Sequence, residues 1–148
     1  VSRVGEVISI SIIFSLIGPL FVGLVGNRLG RKIPILVCLF LSSFCIYFIF
    51  GVATVETFYY GNITWNIIFT IMVIFILGAS ADIDPSGKLG SWLNACMLLS
   101  ASISPAVFGW ILLDQSLSEI YPYLMFFLLA AFVCIFITKR ELEPIDKV

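Results

Sequence analysis

Histidine is absent from this chain and charge of either sign is scarce: 8 Lys and Arg and 9 Asp and Glu make up 11% of 148 residues. Without imidazole there is no histidine base, no histidine-carboxylate zinc site and no catalytic triad of the usual kind, which removes most hydrolase mechanisms. The four cysteines, Cys38, Cys45, Cys96 and Cys134, lie inside apolar runs and form no CxxC pair, so they read as packing thiols. An intramembrane active site would need a nucleophile with a base, or a metal cluster, and the sequence offers neither. We therefore expect no enzyme, no metal and no cofactor. A net charge of −1 leaves no concentrated basic surface, which argues against a nucleic-acid partner.

What fills the chain instead is hydrocarbon: 61% of residues are hydrophobic and 15% aromatic. A soluble domain has about 45–50% apolar and about 25% charged residues, so this composition calls for a lipid bilayer as solvent. Five apolar runs approach or exceed the roughly 20 helical residues that cross a hydrocarbon core. They extend from Val7 to Val25, Ile33 to Ala53, Trp65 to Ala81, Leu89 to Leu113 and Tyr121 to Thr138. Backbone polar groups in lipid must be satisfied within the segment or in a closed barrel, and these runs lack the alternation of barrel strands. The expectation is an all-α, multi-pass membrane protein with five transmembrane helices.

The charges give it a direction. Arg28, Arg31, Lys32, Lys88, Lys139, Arg140 and Lys147 all map to one side of the five-helix topology, and Arg3 alone maps to the other. The positive-inside rule then puts the C-terminus in the cytoplasm and the N-terminus outside, in a cell membrane. Phe58, Tyr59, Tyr60, Trp65, Trp110, Tyr121 and Tyr123 gather at the outer boundary, as interfacial aromatics do. The outer loop holds the formal sequon Asn62-Ile63-Thr64, read here as a chance occurrence at the membrane edge. Asp84-Pro85-Ser86-Gly87 reads as a turn in which Asp84 caps the fourth helix and Pro85 opens it. The chain begins at Val1 and its first apolar run has no basic start or small-residue cleavage site, so we expect a piece of a longer protein, not a signal peptide.

The helices differ in kind. The second and fifth are bulky and apolar all round, which suggests peripheral, lipid-facing positions. The first carries Ser9, Ser11, Ser15, Gly18, Pro19, Gly23 and Gly26, and the fourth carries Gly90, Asn94, Ala101, Pro105 and Gly109 close to one face. Small residues let backbones approach and proline and glycine permit bending, so these faces should look inward, for plain helix packing or to line a polar pathway. No Asp or Glu lies well inside a span to serve as a proton-coupling group; Glu6, at the outer end of the first helix, reads as a solvated helix-start residue.

The most patterned segment joins the first two helices: Gly23-Leu24-Val25-Gly26-Asn27-Arg28-Leu29-Gly30-Arg31-Lys32. It is a helix ending in glycines, a turn tight enough to require Gly30, and three cations at headgroup level. This spacing resembles the signature of the major facilitator superfamily: Gly, three residues of any kind, Asp or Asn, Arg, any residue, Gly, Arg, and Arg or Lys. Gly23, Asn27, Arg28, Gly30, Arg31 and Lys32 match in order. With Gly18-Pro19 upstream and Pro105 and Gly109 in the fourth helix, the resemblance extends over nearly the whole chain. It implies helices two to six of a six-helix half, and the charge-free third helix and short tail favour the carboxy-terminal half, helices eight to twelve.

The resemblance further implies a secondary transporter of a small solute whose two halves rock about a midplane site, with this chain a fragment lacking the N-terminal half. In that scheme the first, third and fourth helices border the pathway, with Ser11, Ser15, Asn66, Thr70, Asn94 and Ser102 as lining candidates. The loop would be a cytoplasmic latch. Asn27 stands where the family often has an acid, so a helix-end attraction worth about 0.3–1 kcal/mol is lost. The competing reading is a non-transporting membrane subunit that scaffolds or assembles with a partner.

Overall fold

The computed structural model describes residues 2–25, 30–52, 54–111 and 117–137. All its regular structure is helical: α1 (Ser2–Ser15), α2 (Ile17–Val25), α3 (Lys32–Ile46), a π-helical turn (Tyr47–Val52), α4 (Val55–Ile83), α5 (Lys88–Ile111) and α6 (Leu117–Ile137). Grouped by continuity these make five segments long and apolar enough to cross a membrane: Gly5–Val25, Lys32–Val52, Val55–Ile83, Lys88–Ile111 and Glu119–Ile137.

The first segment is broken at Leu16. Pro19 supplies the reason: it has no N–H for the Ser15 carbonyl and its ring presses on that carbonyl. Leu16 N–H turns to the Ile13 carbonyl at 3.2 Å, and the Ser15 hydroxyl donates to the Ile12 carbonyl at 2.6 Å. Pro105 and Pro122 lie inside α5 and α6. The sequence suggests Pro122 near a helix start, and α6 instead begins several residues earlier, at Leu117.

The largest departure from expectation is the length of α4. Its 29 residues begin at Val55, ten before the expected start at Trp65. Thr54 and Thr57 form a reciprocal cap: the Thr54 hydroxyl accepts from Thr57 N–H at 3.2 Å and the Thr57 hydroxyl from Thr54 N–H at 2.9 Å. These bonds satisfy helix-end donors ahead of the aromatic stretch, which then continues as helix. Asn62 of the sequon is accordingly helical and half-buried, its side-chain oxygen accepting from Asn66 at 3.1 Å. At 1.5 Å per residue α4 is about 43 Å long, more than the about 30 Å of a hydrocarbon core, so it must tilt or project.

α4 is the hub. It packs against α1 and α2, against α3 and the π turn, and at its C-terminal end against the start of α5; α6 packs on α3 and the π turn. Phe75, fully buried, joins Ile35 and Leu39 in the main core cluster, against which Val22 of α2 and Leu128, Phe132 and Ile135 of α6 pack. A second cluster joins Cys38 and Cys45 of α3 to Ile68 of α4. Thus α3, expected at the periphery, lies between α4 and α6 and holds seven buried residues. α5, expected to face inward, holds none. A helix that is bulky and apolar all round suits a protein core as well as lipid, and hydrophobicity cannot choose between them.

Two turns among the described residues need positive φ, and both use glycine: Gly30 at 67° and Gly87 at 76°. Gly30→Val should cost about 1–2 kcal/mol from left-handed strain alone, more with its added bulk in a buried position. Thermal unfolding in detergent, followed by thiol labelling of buried Cys38 and Cys45 with Cys96 and Cys134 replaced by alanine, measures it; an unchanged midpoint would refute the turn assignment.

Candidate functional site

Two polar assemblies stand out. The first lies where the patterned loop meets the ends of other helices. Arg31 precedes α3, and its Nε donates to Asp82 Oδ2 near the end of α4 at 3.0 Å. A Cβ built on Gly78 would fall 2.6 Å from Arg31 Nη1 and 2.8 Å from its Cζ. Gly78 is thus the gap in α4 that admits the guanidinium. Lys32 donates to the Phe136 carbonyl in the last turn of α6 at 3.0 Å, with its ammonium 5.9 Å from the Phe136 ring centroid. Each cation therefore sits at the negative end of a helix dipole, and one loop ties three helices together at one end of the bundle.

Gly30 orients these side chains through its turn, and Gly23, also in the matched pattern, is an exposed residue of α2. Asn27 and Arg28 lie outside the described residues, as do Lys139, Arg140 and Lys147. Sequence reasoning singles out Arg31 and Lys32 and misses their partners. Asp82 reads from the sequence as an inner-edge cap of the fourth helix, and Gly78 carries no local signal.

Among the described residues, Asp84 does the capping at the same end. Its carboxylate accepts from the Ser86 hydroxyl at 2.5 Å, Ser86 N–H at 3.0 Å and Leu89 N–H at 2.8 Å. The Ser86 hydroxyl, followed by the Leu89 amide, holds this carboxyl below its ordinary range. The helix it caps starts at Lys88, beyond Gly87, not at Pro85 as expected.

The second assembly joins α1, α2 and α4. Asn66 Nδ2 donates to the fully buried Ser11 hydroxyl at 3.3 Å and to the Asn62 carbonyl at 2.9 Å, and the Thr70 hydroxyl donates to the Asn66 carbonyl at 2.8 Å. Gly18 faces Thr70: a Cβ there would lie 3.1 Å from both Thr70 Cβ and Cγ2. Ser11, Asn66 and Thr70, three of the six lining candidates, are thereby brought into one interhelical seam. The other three are apart. Ser15 is engaged with its own helix, Ser102 is exposed on α5 and donates to the Leu98 carbonyl at 2.9 Å, and Asn94 is exposed on α5.

The bending and packing residues divide in the same way. Gly18 is buried against Thr70, Pro19 accompanies the break in the first segment, and Gly90 faces Ser80, whose Oγ would be 3.3 Å from an added Cβ. Pro105 and Gly109 are exposed, and a Cβ on Gly109 would meet nothing within 4 Å. The face of α5 that carries Asn94, Ala101, Pro105 and Gly109 has no described neighbour over most of its length, because among the described elements α5 touches only α4.

Comparison with known proteins yields no match to a protein family, to a curated protein or to a solved structure.

Gly78→Val should expel the guanidinium and separate Arg31 from Asp82. With Asp82 41% exposed the pair is partly screened, so the loss should be about 1 kcal/mol or less. Denaturant titration in detergent checks it. Asp82→Asn in the Gly78→Val background should then cost nothing further, and additive losses would show that the two residues act independently.

Proposed function

We propose that this chain is the carboxy-terminal part of a secondary transporter of the major facilitator type, carrying a small solute by alternating access. The observation that carries the reading is the Arg31–Asp82 and Lys32–Phe136 linkage. It makes the one loop resembling a transporter signature a clamp across the ends of three helices. A clamp of this modest strength suits a gate, since contacts worth about 1 kcal/mol each can be made and broken between conformations of comparable stability. The exposed small-residue face of α5 supports the same reading. In lipid it would leave Asn94 and a proline-freed carbonyl against hydrocarbon, whereas a second half would cover them and share a pathway. Solute and coupling ion are left open by the residues present.

In this reading the Arg31 end is cytoplasmic and the Thr54 end faces outward, so a membrane-impermeant thiol reagent should label Tyr60→Cys from outside and Lys147→Cys only after permeabilisation. Same-side labelling would overturn the topology. The transporter itself is tested by the coding sequence upstream of Val1, where seven further helices and a second glycine-arginine loop are expected in frame. A start site immediately before Val1 would leave the scaffold subunit as the surviving reading.

A further inference from the structure

A groove of about 440 Å³ opens on the bundle surface between the second and third membrane-crossing segments. Small-molecule sites span about 300–1,000 Å³, so its size is that of a ligand site. Its walls are two helical stripes. Glu56, Tyr60, Thr64 and Ile68 follow one another at four-residue intervals down α4, and Phe44 of α3 and Phe48 of the π turn face them. The stripe from Glu56 to Ile68 covers about 18 Å at 1.5 Å per residue, close to the depth of one leaflet of a hydrocarbon core of about 30 Å. The groove is therefore polar at its mouth and apolar below.

The charge at the mouth selects among amphiphiles. Glu56 is exposed in the first turn of α4, and Tyr60, one turn on, is 68% exposed, with its ring held edge-on to Tyr59 at 5.3 Å. A carboxylate beside an aromatic face is the chemistry that recognises an ammonium or quaternary ammonium group. Exposed Glu6 lies at the same end of the bundle, and the residues lining the groove include one carboxylate, Glu56, and no cation. A zwitterionic phospholipid would bring its phosphate against Glu56 with no cation in the groove lining to receive it. A singly charged cation would not.

We propose that this groove binds a lipophilic ammonium ion, its alkyl chain lying between Phe44, Phe48 and Ile68 and its cationic head over Tyr60 against Glu56. The site is separate from the seam of Ser11, Asn66 and Thr70 and from the Arg31 clamp, and binding there does not depend on the transport reading.

The test uses the full chain in phosphatidylcholine nanodiscs, with tetradecyltrimethylammonium bearing a diazirine midway along its chain as the probe. Photolabelling should concentrate on residues 41–48 and 60–68 and be competed by unlabelled tetradecyltrimethylammonium but not by tetradecyl sulfate. Glu56→Gln keeps the fold and should weaken capture of the cation roughly fivefold, the effect of about 1 kcal/mol. Thr64→Trp should fill the groove and suppress labelling. Labelling spread over all five segments, equal competition by the sulfate, or a Glu56→Gln protein that captures the cation unchanged would each overturn the proposal. So would labelling that appears in an uncharged galactolipid nanodisc but not in phosphatidylcholine, since the zwitterionic lipid would then be the occupant.

Discussion

Phe75→Ala is expected to lower stability by about 2–3 kcal/mol. Phe75 is 0% exposed and packs with Ile35 and Leu39 in the cluster that α2 and α6 also join. In a water-soluble core, Phe→Ala costs about 3–5 kcal/mol, part of it transfer free energy and part the cavity left behind. In a bilayer the separated helices are already in an apolar solvent, so the transfer part largely drops out and lost dispersion contacts remain. The estimate therefore lies at or below the low end of the soluble range. Denaturant titration in mixed micelles gives the value, with Phe75→Leu losing much less. A cost below about 0.5 kcal/mol, within the scatter of an ordinary surface substitution, would show that Phe75 does not join these helices.

Gly18→Val should come next, at about 1–3 kcal/mol, by overpacking instead of emptying the interior. A Cβ at this position already falls 3.1 Å from Thr70 Cβ and Cγ2 and 3.4 Å from the Ile67 carbonyl, and two further methyls have no room. The backbones of the first and third crossing segments would have to separate, which would also stretch the 3.3 Å bond from Asn66 to Ser11. Thr70→Ala should rescue part of the loss, because it removes atoms that the introduced valine would strike. The coupling between the two substitutions, read from a double-mutant cycle of unfolding midpoints, separates this contact from a general loss of helix flexibility. Zero coupling would mean that the glycine serves another purpose.

How much of this is legible in the sequence varies from residue to residue. Gly30 can be read because a turn between two helices with room for one unusual backbone angle calls for glycine, and its φ is 67°. The start of α4 cannot be placed. Thr54 and Thr57 make a weaker local signal than a threonine with a glutamate, and the aromatic and amide residues that follow look like an interfacial loop. Ser11, Asn66 and Thr70 stand out singly as polar groups out of place in lipid, yet nothing local says that they meet. Gly78 is easily passed over, since a glycine in an apolar helix announces no partner, and it gains meaning only once the Arg31 guanidinium lies against it.

What the sequence by itself determined is the set of five long apolar helices, though not every end of them. In an apolar run each backbone donor and acceptor must be satisfied within its own segment, so run length, caps and prolines decide the outcome locally. What only the tertiary structure decided is which helix meets which. α3 is central and α5 meets only α4 among the described elements, the reverse of the expected arrangement, because an apolar face is equally at home against lipid and against another helix. The choice falls to shape: a glycine opposite a threonine, a glycine beneath a guanidinium, a phenylalanine among apolar neighbours from other helices. Those complementarities join residues far apart in the chain, and no stretch of the sequence read alone contains both halves of any of them.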